Sequence, residues 1–199
     1  VTGLTATNYS FTSANGTVSV GSSGSTIVVT GAQTYTYTGS PQGPAAHSKT
    51  GSTGAVTYSY TGTGSTTYGP SSTRPTGAGT YKVVATLAAD ANFIGATSAD
   101  YAFTINKAVI TITAANQNVS FGTAVSAVTG AGSYTPTGFV NNETASVISG
   151  TVSYTTTYTS TSAAGTTGLT ITPVVTGLTA TNYSFTSANG TVSVGSSGS

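Results

Sequence analysis

Residues 1–25, VTGLTATNYSFTSANGTVSVGSSGS, recur letter for letter as residues 175–199. The copies lie 174 residues apart, so Thr26–Ser199 is one full period. A long fixed period is the mark of units stacked end to end. The chain therefore reads as a window on a tandem array. Residues 1–25 are then the closing hairpin and linker of a preceding repeat. Each period must close within itself and hand over to a neighbour of the same sequence.

Charge is nearly absent. Lys and Arg together number four, and Asp and Glu three, about 4% against roughly a quarter in ordinary soluble domains. Disorder combines low hydrophobicity with high net charge, whereas here 37% of residues are hydrophobic and 12 are Tyr. A net charge of +1 with no basic cluster leaves no footprint for nucleic acid or an anionic membrane surface. No apolar run approaches the roughly 20 residues of a membrane helix, so no membrane insertion is expected in this segment. The absence of Cys excludes a disulfide framework. A surface of Thr, Ser and Gly points to an extracellular setting.

Period-2 alternation runs throughout, broken by Gly, Pro and Asn-Gly, and no 3.6-residue stripe appears. The class predicted is all-β. In the first half strands are expected at 27–30, 34–38, 45–50, 56–61, 66–68, 80–88 and 100–105. The clearest puts Tyr81, Val83, Ala85 and Leu87 on one face and Thr80, Lys82, Val84 and Thr86 on the other. Seven short strands predict a two-sheet sandwich. In the second half strands are expected at 109–113, 118–121, 126–128, 146–148, 151–159, 169–173, 182–186 and 191–194. Asn189-Gly190 predicts a hairpin turn, and its copy Asn15-Gly16 does the same between Tyr9/Phe11 and Val18/Val20. The division is 1–25, 26–106 and 107–199. Between the last two, Ile105-Asn106-Lys107-Ala108-Val109 has no linker composition. Gly195–Ser199, copied at Gly21–Ser25, reads as flexible or as an ordered turn.

Several strings carry a family resemblance. Gly138-Phe139-Val140-Asn141-Asn142-Glu143-Thr144-Ala145, then Val147-Ile148-Ser149-Gly150 and Leu178-Thr179-Ala180-Thr181-Asn182-Tyr183-Ser184-Phe185, resemble the MBG repeats. These are mostly-β, immunoglobulin-like modules of very large bacterial adhesins and autotransporter-like surface proteins. The resemblance covers about 107–194. The first half resembles companion immunoglobulin-like repeats through Tyr37–Pro44, Ala78-Gly79-Thr80-Tyr81 and Ala88–Phe93. It implies two tandem immunoglobulin-like β-sandwich domains plus an orphan N-terminal hairpin. Tyr81 falls where a tyrosine corner would sit, with Val83 in the place of the sandwich cysteine. Two positions depart from the family pattern. Phe121-Gly122-Thr123 stands where Tyr-Gly-Asp is frequent, and Thr167 follows Gly165-Thr166 where Tyr is usual. The resemblance implies adhesion within an extracellular array and carries no catalytic residues.

The residues themselves offer little chemistry. His47, the one histidine, has no evident orienting carboxylate for a nucleophile's base and reads as solvent-exposed. Asp90, Asp100 and Glu143 do not pair for acid–base work, so no enzyme activity is expected. Asp90 and Asp100, with Asn92, are weak candidates for a Ca²⁺ site, which needs six to eight oxygens; a turn-forming role outweighs it, and no cofactor is expected. Lys107, Glu143 and Asn182 or Asn189 occur in the chain order of an intramolecular Lys–Asn cross-link, although solvated charges fit better. Asn8, Asn15, Asn118, Asn142, Asn182 and Asn189 head Asn-x-Ser/Thr triplets, frequent by chance in so Ser/Thr-rich a chain. Thr34/Thr36/Thr38 and Thr155/Thr157/Thr159 form outward rows of ordinary strand residues. Tyr35/Tyr37 and Tyr58/Tyr60 could stack on sugars, with core packing the default.

The expected partners are neighbouring repeats of the same array, identical chains in a filament, or surface glycans. Tyr9, Phe11, Val18 and Val20 are the candidate intermolecular contacts, because that row has lost its own domain. The leading expectation is a structural repeat of a cell-surface or secreted fibre. With Lys49, Arg74, Lys82 and Lys107 as its only basic sites, the folded chain should survive trypsin at loadings that degrade ordinary domains. Rapid tryptic loss of the intact mass would contradict this reading.

Overall fold

The computed structural model describes residues 2–196. Among these residues the protein is all-β with one short α-helix and one 3-10 turn. The first unit comprises β1 (Thr26–Thr30), β2 (Thr34–Thr36), β3 (Ala46–Thr50), β4 (Val56–Gly62), β5 (Gly79–Leu87), β6 (Ala96–Thr97) and β7 (Tyr101–Asn106). One sheet runs β2-β7-β5-β4, with β6 added to β5, and a β1–β3 ribbon packs over it. Alternation decides the faces. Ile27 and Val29 turn inward while Val28 is exposed, and Tyr81, Val83, Ala85 and Leu87 are all buried beneath them. The Tyr81 hydroxyl donates to the Gly77 carbonyl, four residues upstream, at 2.7 Å. That bond ties the entry of β5 to its own strand.

The second unit is closed by its two ends. It contains β8 (Ala108–Ala114), β9 (Gln117–Ser120), α1 (Val125–Gly130), β10 (Tyr134–Thr137), β11 (Ser149–Gly150), β12 (Ser153–Thr156), β13 (Thr170–Val174), β14 (Leu178–Thr179), β15 (Tyr183–Ala188) and β16 (Gly190–Gly195). β15 pairs parallel with β8, and β16 parallel with β9, every residue facing the one 75 earlier. The first and last strands thus form one ribbon that bends from the sheet β10-β8-β15 into the sheet β12-β13-β16-β9.

This overturns the hairpin expected at Asn189-Gly190. β15 and β16 lie in different sheets and do not pair with each other. A tight two-residue hairpin of this sequence needs positive φ at both central residues, and neither Asn189 nor Gly190 has it. Gly190 serves close approach instead. A Cβ there would lie 2.6 Å from the Ala115 carbonyl oxygen and 2.7 Å from that of Ala114. At the same bend the Asn116 side-chain oxygen accepts the Thr191 N–H at 2.8 Å.

Other strand expectations fail where the apolar pattern is shortest. Residues 126–128 lie in α1, which buries only Val128, because a three-residue pattern cannot separate helix from strand. Residues 146–148 lie largely in a 3-10 turn, Ala145–Val147. Residues 66–68 form no strand, and the expected 151–159 shrinks to Ser153–Thr156. The short strands β6, β10, β11 and β14 escape the pattern.

The duplicated string takes two conformations. At 183–195 it is β15 and β16, with Tyr183, Val192 and Val194 buried at 2%, 3% and 6% exposure. At 9–21 it forms no strand. There Tyr9, Val18 and Val20 are 81%, 91% and 93% exposed, and Phe11 is 45% exposed. The orphan hairpin expected in residues 1–25 does not form. Local sequence is the same in both places, so the difference is the partner: β8 and β9 are present for one copy and absent for the other. Gly190→Ala should therefore cost about 1–3 kcal/mol through overpacking. Gly16→Ala, with nothing within 4 Å, should stay within about 0.5 kcal/mol. Denaturant melts of the two variants check this, and equal effects would refute it.

Candidate functional site

The most elaborate polar chemistry lies where the two units meet. β7 ends at Asn106 and β8 begins at Ala108, leaving Lys107 alone between them. Both ends are tied down. The Tyr37 N–H donates to the Asn106 carbonyl at 2.9 Å, and the Ala108 N–H to the Asn182 carbonyl at 3.0 Å. The Asn182 side-chain oxygen accepts the Ala78 N–H at 3.0 Å. Lys107 Nζ donates to the Ala180 carbonyl at 2.7 Å. Tyr37, Ile105, Ala108, Ile110, Leu178 and Tyr183 belong to one hydrophobic cluster that crosses the joint.

Glu143 closes this joint. Its Oε1 accepts the Tyr37 hydroxyl at 2.6 Å, and its Oε2 accepts the Tyr183 hydroxyl. Tyr183 also accepts the Val140 N–H at 3.1 Å. The two rings meet edge to face, 5.5 Å apart. Asn141 and Asn142 in the same loop take left-handed φ values of 54° and 56°, which Asn tolerates better than most residues. This turns Asn141 onto Gly39, where any Cβ would collide with it. Glu143 was expected to be solvated, and it is instead a half-buried bridge between units. Its partners lie 106 and 40 residues away in sequence, so no local pattern exposes the role.

The bridge shifts all three groups. Hydrogen bonds from Tyr183 and Tyr37 hold the Glu143 carboxyl below its ordinary value. Tyr37 is pushed up to about 12, first by its bond to Glu143 and then by burial. Burial, followed by Glu143, raises Tyr183.

A second ordered contact lies at the opposite end of the first unit. Asp90 Oδ2 accepts the Thr53 N–H at 2.7 Å and the Thr53 hydroxyl at 3.0 Å. Its Oδ1 accepts the N–H groups of Asn92 and Phe93, both at 2.9 Å. These bonds, led by the Thr53 and Asn92 amides, hold the carboxyl well below the usual carboxylate range. The loop so shaped receives the linker. The Ser23 N–H donates to the Asn92 carbonyl and the Ile94 N–H to the Ser23 carbonyl, both at 2.9 Å. Ser25 Oγ donates to the Ile94 carbonyl at 2.6 Å and accepts the Ser52 N–H at 2.9 Å. Of the two readings of Gly21–Ser25, the ordered one holds for Ser23 and Ser25. Ser197–Ser199, in the other copy, lie outside the described residues.

The remaining candidates are dispersed. Asp100 pairs with Lys82 at 2.8 Å, apart from Asp90, and no cluster of three metal-ligating side chains occurs among the described residues. His47 is not solvent-exposed as expected: it is half-buried, with Nδ1 2.7 Å from the Tyr58 hydroxyl. Tyr37 and Tyr60 are 5% and 2% exposed. Tyr58 and Tyr60 donate their hydroxyls to the carbonyls of Ala45 and Pro44, so these rings are packed rather than presented. Asn189 accepts the Thr172 hydroxyl, so each member of the suggested cross-link set has another bonding partner. Tyr9, Phe11, Val18 and Val20 are not gathered into any site.

The family model of the MBG domain (YGX type) matches residues 110–193, the body of the second unit. The second unit is of MBG type, as its sequence strings imply. No curated protein and no solved structure matches the chain.

The pH dependence of the joint follows from signs. A carboxylate with a lowered pKa stabilises above its unfolded value, about 4, and that contribution is lost as pH falls. A tyrosine raised from about 10 contributes fully below that value and loses its contribution as pH rises through about 12. Thermal stability should therefore be flat from about pH 5 to 9, falling on both sides. Glu143→Ala should cost about 1–2 kcal/mol and weaken both limbs. Melting curves across pH check this; an unchanged alkaline limb in the variant would contradict the assignment.

Proposed function

We propose that this chain, whose second unit is an MBG-type repeat domain of surface proteins, is the tension-bearing repeat of an extracellular bacterial fibre or giant adhesin. Its two units would each be an immunoglobulin-like sandwich, and its work mechanical rather than catalytic. The observation that supports this best is the direction of the terminal strands. In the second unit β8 enters and β16 leaves on a single parallel ribbon. In the first, β2 near the entrance pairs parallel with β7 at the exit. A pull on the two ends drives parallel partners past one another. Their evenly spaced hydrogen bonds are then loaded together instead of opening one at a time. The one-residue joint and the Glu143 bridge pass the load between units.

A second reading draws on the exposed row Tyr9, Phe11, Val18 and Val20. In it, identical chains assemble a filament, each offering this segment to complete a sandwich in another. Solution mass, measured with and without residues 1–25, separates the readings. A monomer at all concentrations favours the array, and association that requires those residues favours the filament. A glycan array with the whole chain tests the competing role in surface-sugar binding.

Single-molecule pulling tests the mechanical reading. Two unfolding events per period are expected, each releasing about 3.5 Å per residue of its unit. Both should occur at forces well above those that unzip a hairpin. Extension without resolved events would refute a load-bearing role.

A further inference from the structure

Two large apolar side chains stand exposed at opposite ends of the period: Ile94 at 56% and Phe121 at 48%. Each is anchored by its backbone to a copy of the same repeated string. The Ile94 N–H donates to the Ser23 carbonyl at 2.9 Å. The Phe121 N–H donates to the Gly195 carbonyl at 2.9 Å. Gly195 in the second copy corresponds to Gly21 in the first, two residues before Ser23. Two residues span at most about 7 Å. Where one period follows another, the strand end beside Phe121 therefore runs almost at once into the loop beside Ile94.

We infer that Phe121 of each repeat packs against Ile94 of the next, making the repeat-to-repeat joint a built interface. The receiving loop is already shaped for its partner. Asp90 fixes its turn with both carboxylate oxygens. Ser25 Oγ lies only 2.6 Å from where a Cβ on Gly51 would stand, so Gly51 leaves room for the linker. Only the residue equivalent to Ser22 separates the end of β16 from the docked serine. The occupant is the preceding copy of the unit, because the docked segment is the segment that ends it. Burying the pair removes from water two side chains that are otherwise an aggregation liability in a surface with almost no charge. Both joints of the period are then ordered, one by Glu143 between tyrosines and one by an apolar pair over a serine clasp.

This inference rests on the array reading, and a two-period chain, with residues 26–199 repeated after Ser199, supplies the array by construction. Phe121→Cys in the first period and Ile94→Cys in the second place the only two thiols of the molecule at the joint. Mild oxidation should close an intramolecular disulfide, which requires Cα atoms within about 7 Å. Persistent free thiols in the folded chain would overturn the interface. Independently, Phe121→Ser or Ile94→Ser at that joint should speed cleavage of its Gly-Ser-Ser-Gly-Ser segment by a broad-specificity protease about tenfold. The double variant should be no faster than either single one, since both remove one contact. Unchanged cleavage in all variants, or additive acceleration, would refute the pairing. A failed joint leaves the pulling experiment untouched, and low unfolding forces leave the joint untouched.

Discussion

The parallel pairing of residues 108–120 with residues 183–195 is the constraint on which the second unit depends. It supplies the central strand β8 of one sheet and the inner strand β16 of the other. It also buries Tyr183, whose hydroxyl reaches Glu143 and through it the first unit. The same letters at 9–21, without this partner, form no strand and expose their aromatic and aliphatic rows. β propensity in these residues is real but insufficient; a strand is stabilised by what lies beside and beneath it. Tertiary context here decides secondary structure outright.

Charge is scarce, and the few charged groups have defined tasks. Of three carboxylates, Glu143 bridges two tyrosines across the joint and Asp90 organises the loop that receives the linker. Asp100 forms an ion pair with Lys82, 59% and 39% exposed respectively, of the kind worth about 0–1 kcal/mol. Screening by salt reaches mainly that last pair. The fold rests on apolar burial, backbone ladders and hydroxyl bonds, as in the Ser98 and Ser52 side chains that bond the Ala85 amide and the Ala88 carbonyl.

Much of the fold was legible in sequence because alternation over five or more residues reports a half-buried strand. β5 emerges with the expected face inward. Short or irregular pieces were not legible: Val128 alone cannot distinguish α1 from a strand, and β11 and β14 are two residues each. Asn189-Gly190 misled for a different reason. The dipeptide fits a tight turn, yet tertiary pairing uses its glycine to bring two backbones together at a bend. The joint itself was legible from its lack of linker composition, but its Glu143 bridge was not, because Tyr37, Glu143 and Tyr183 are brought together only by the folded units. The serine dock did leave a trace, since the linker is repeated as faithfully as the strands it follows.

Closing the unit with its first and last strands has a consequence for biogenesis. β8 emerges from synthesis first, and its parallel partner is the last stretch of the unit to appear. Contacts spanning 75 residues carry a loop-closure cost and a slow search. The unit cannot complete its core until the final thirteen residues, 183–195, are available, so each period stays unfinished while it is made. Folding of the unit therefore waits on its last strands, however early β8 and β9 are made.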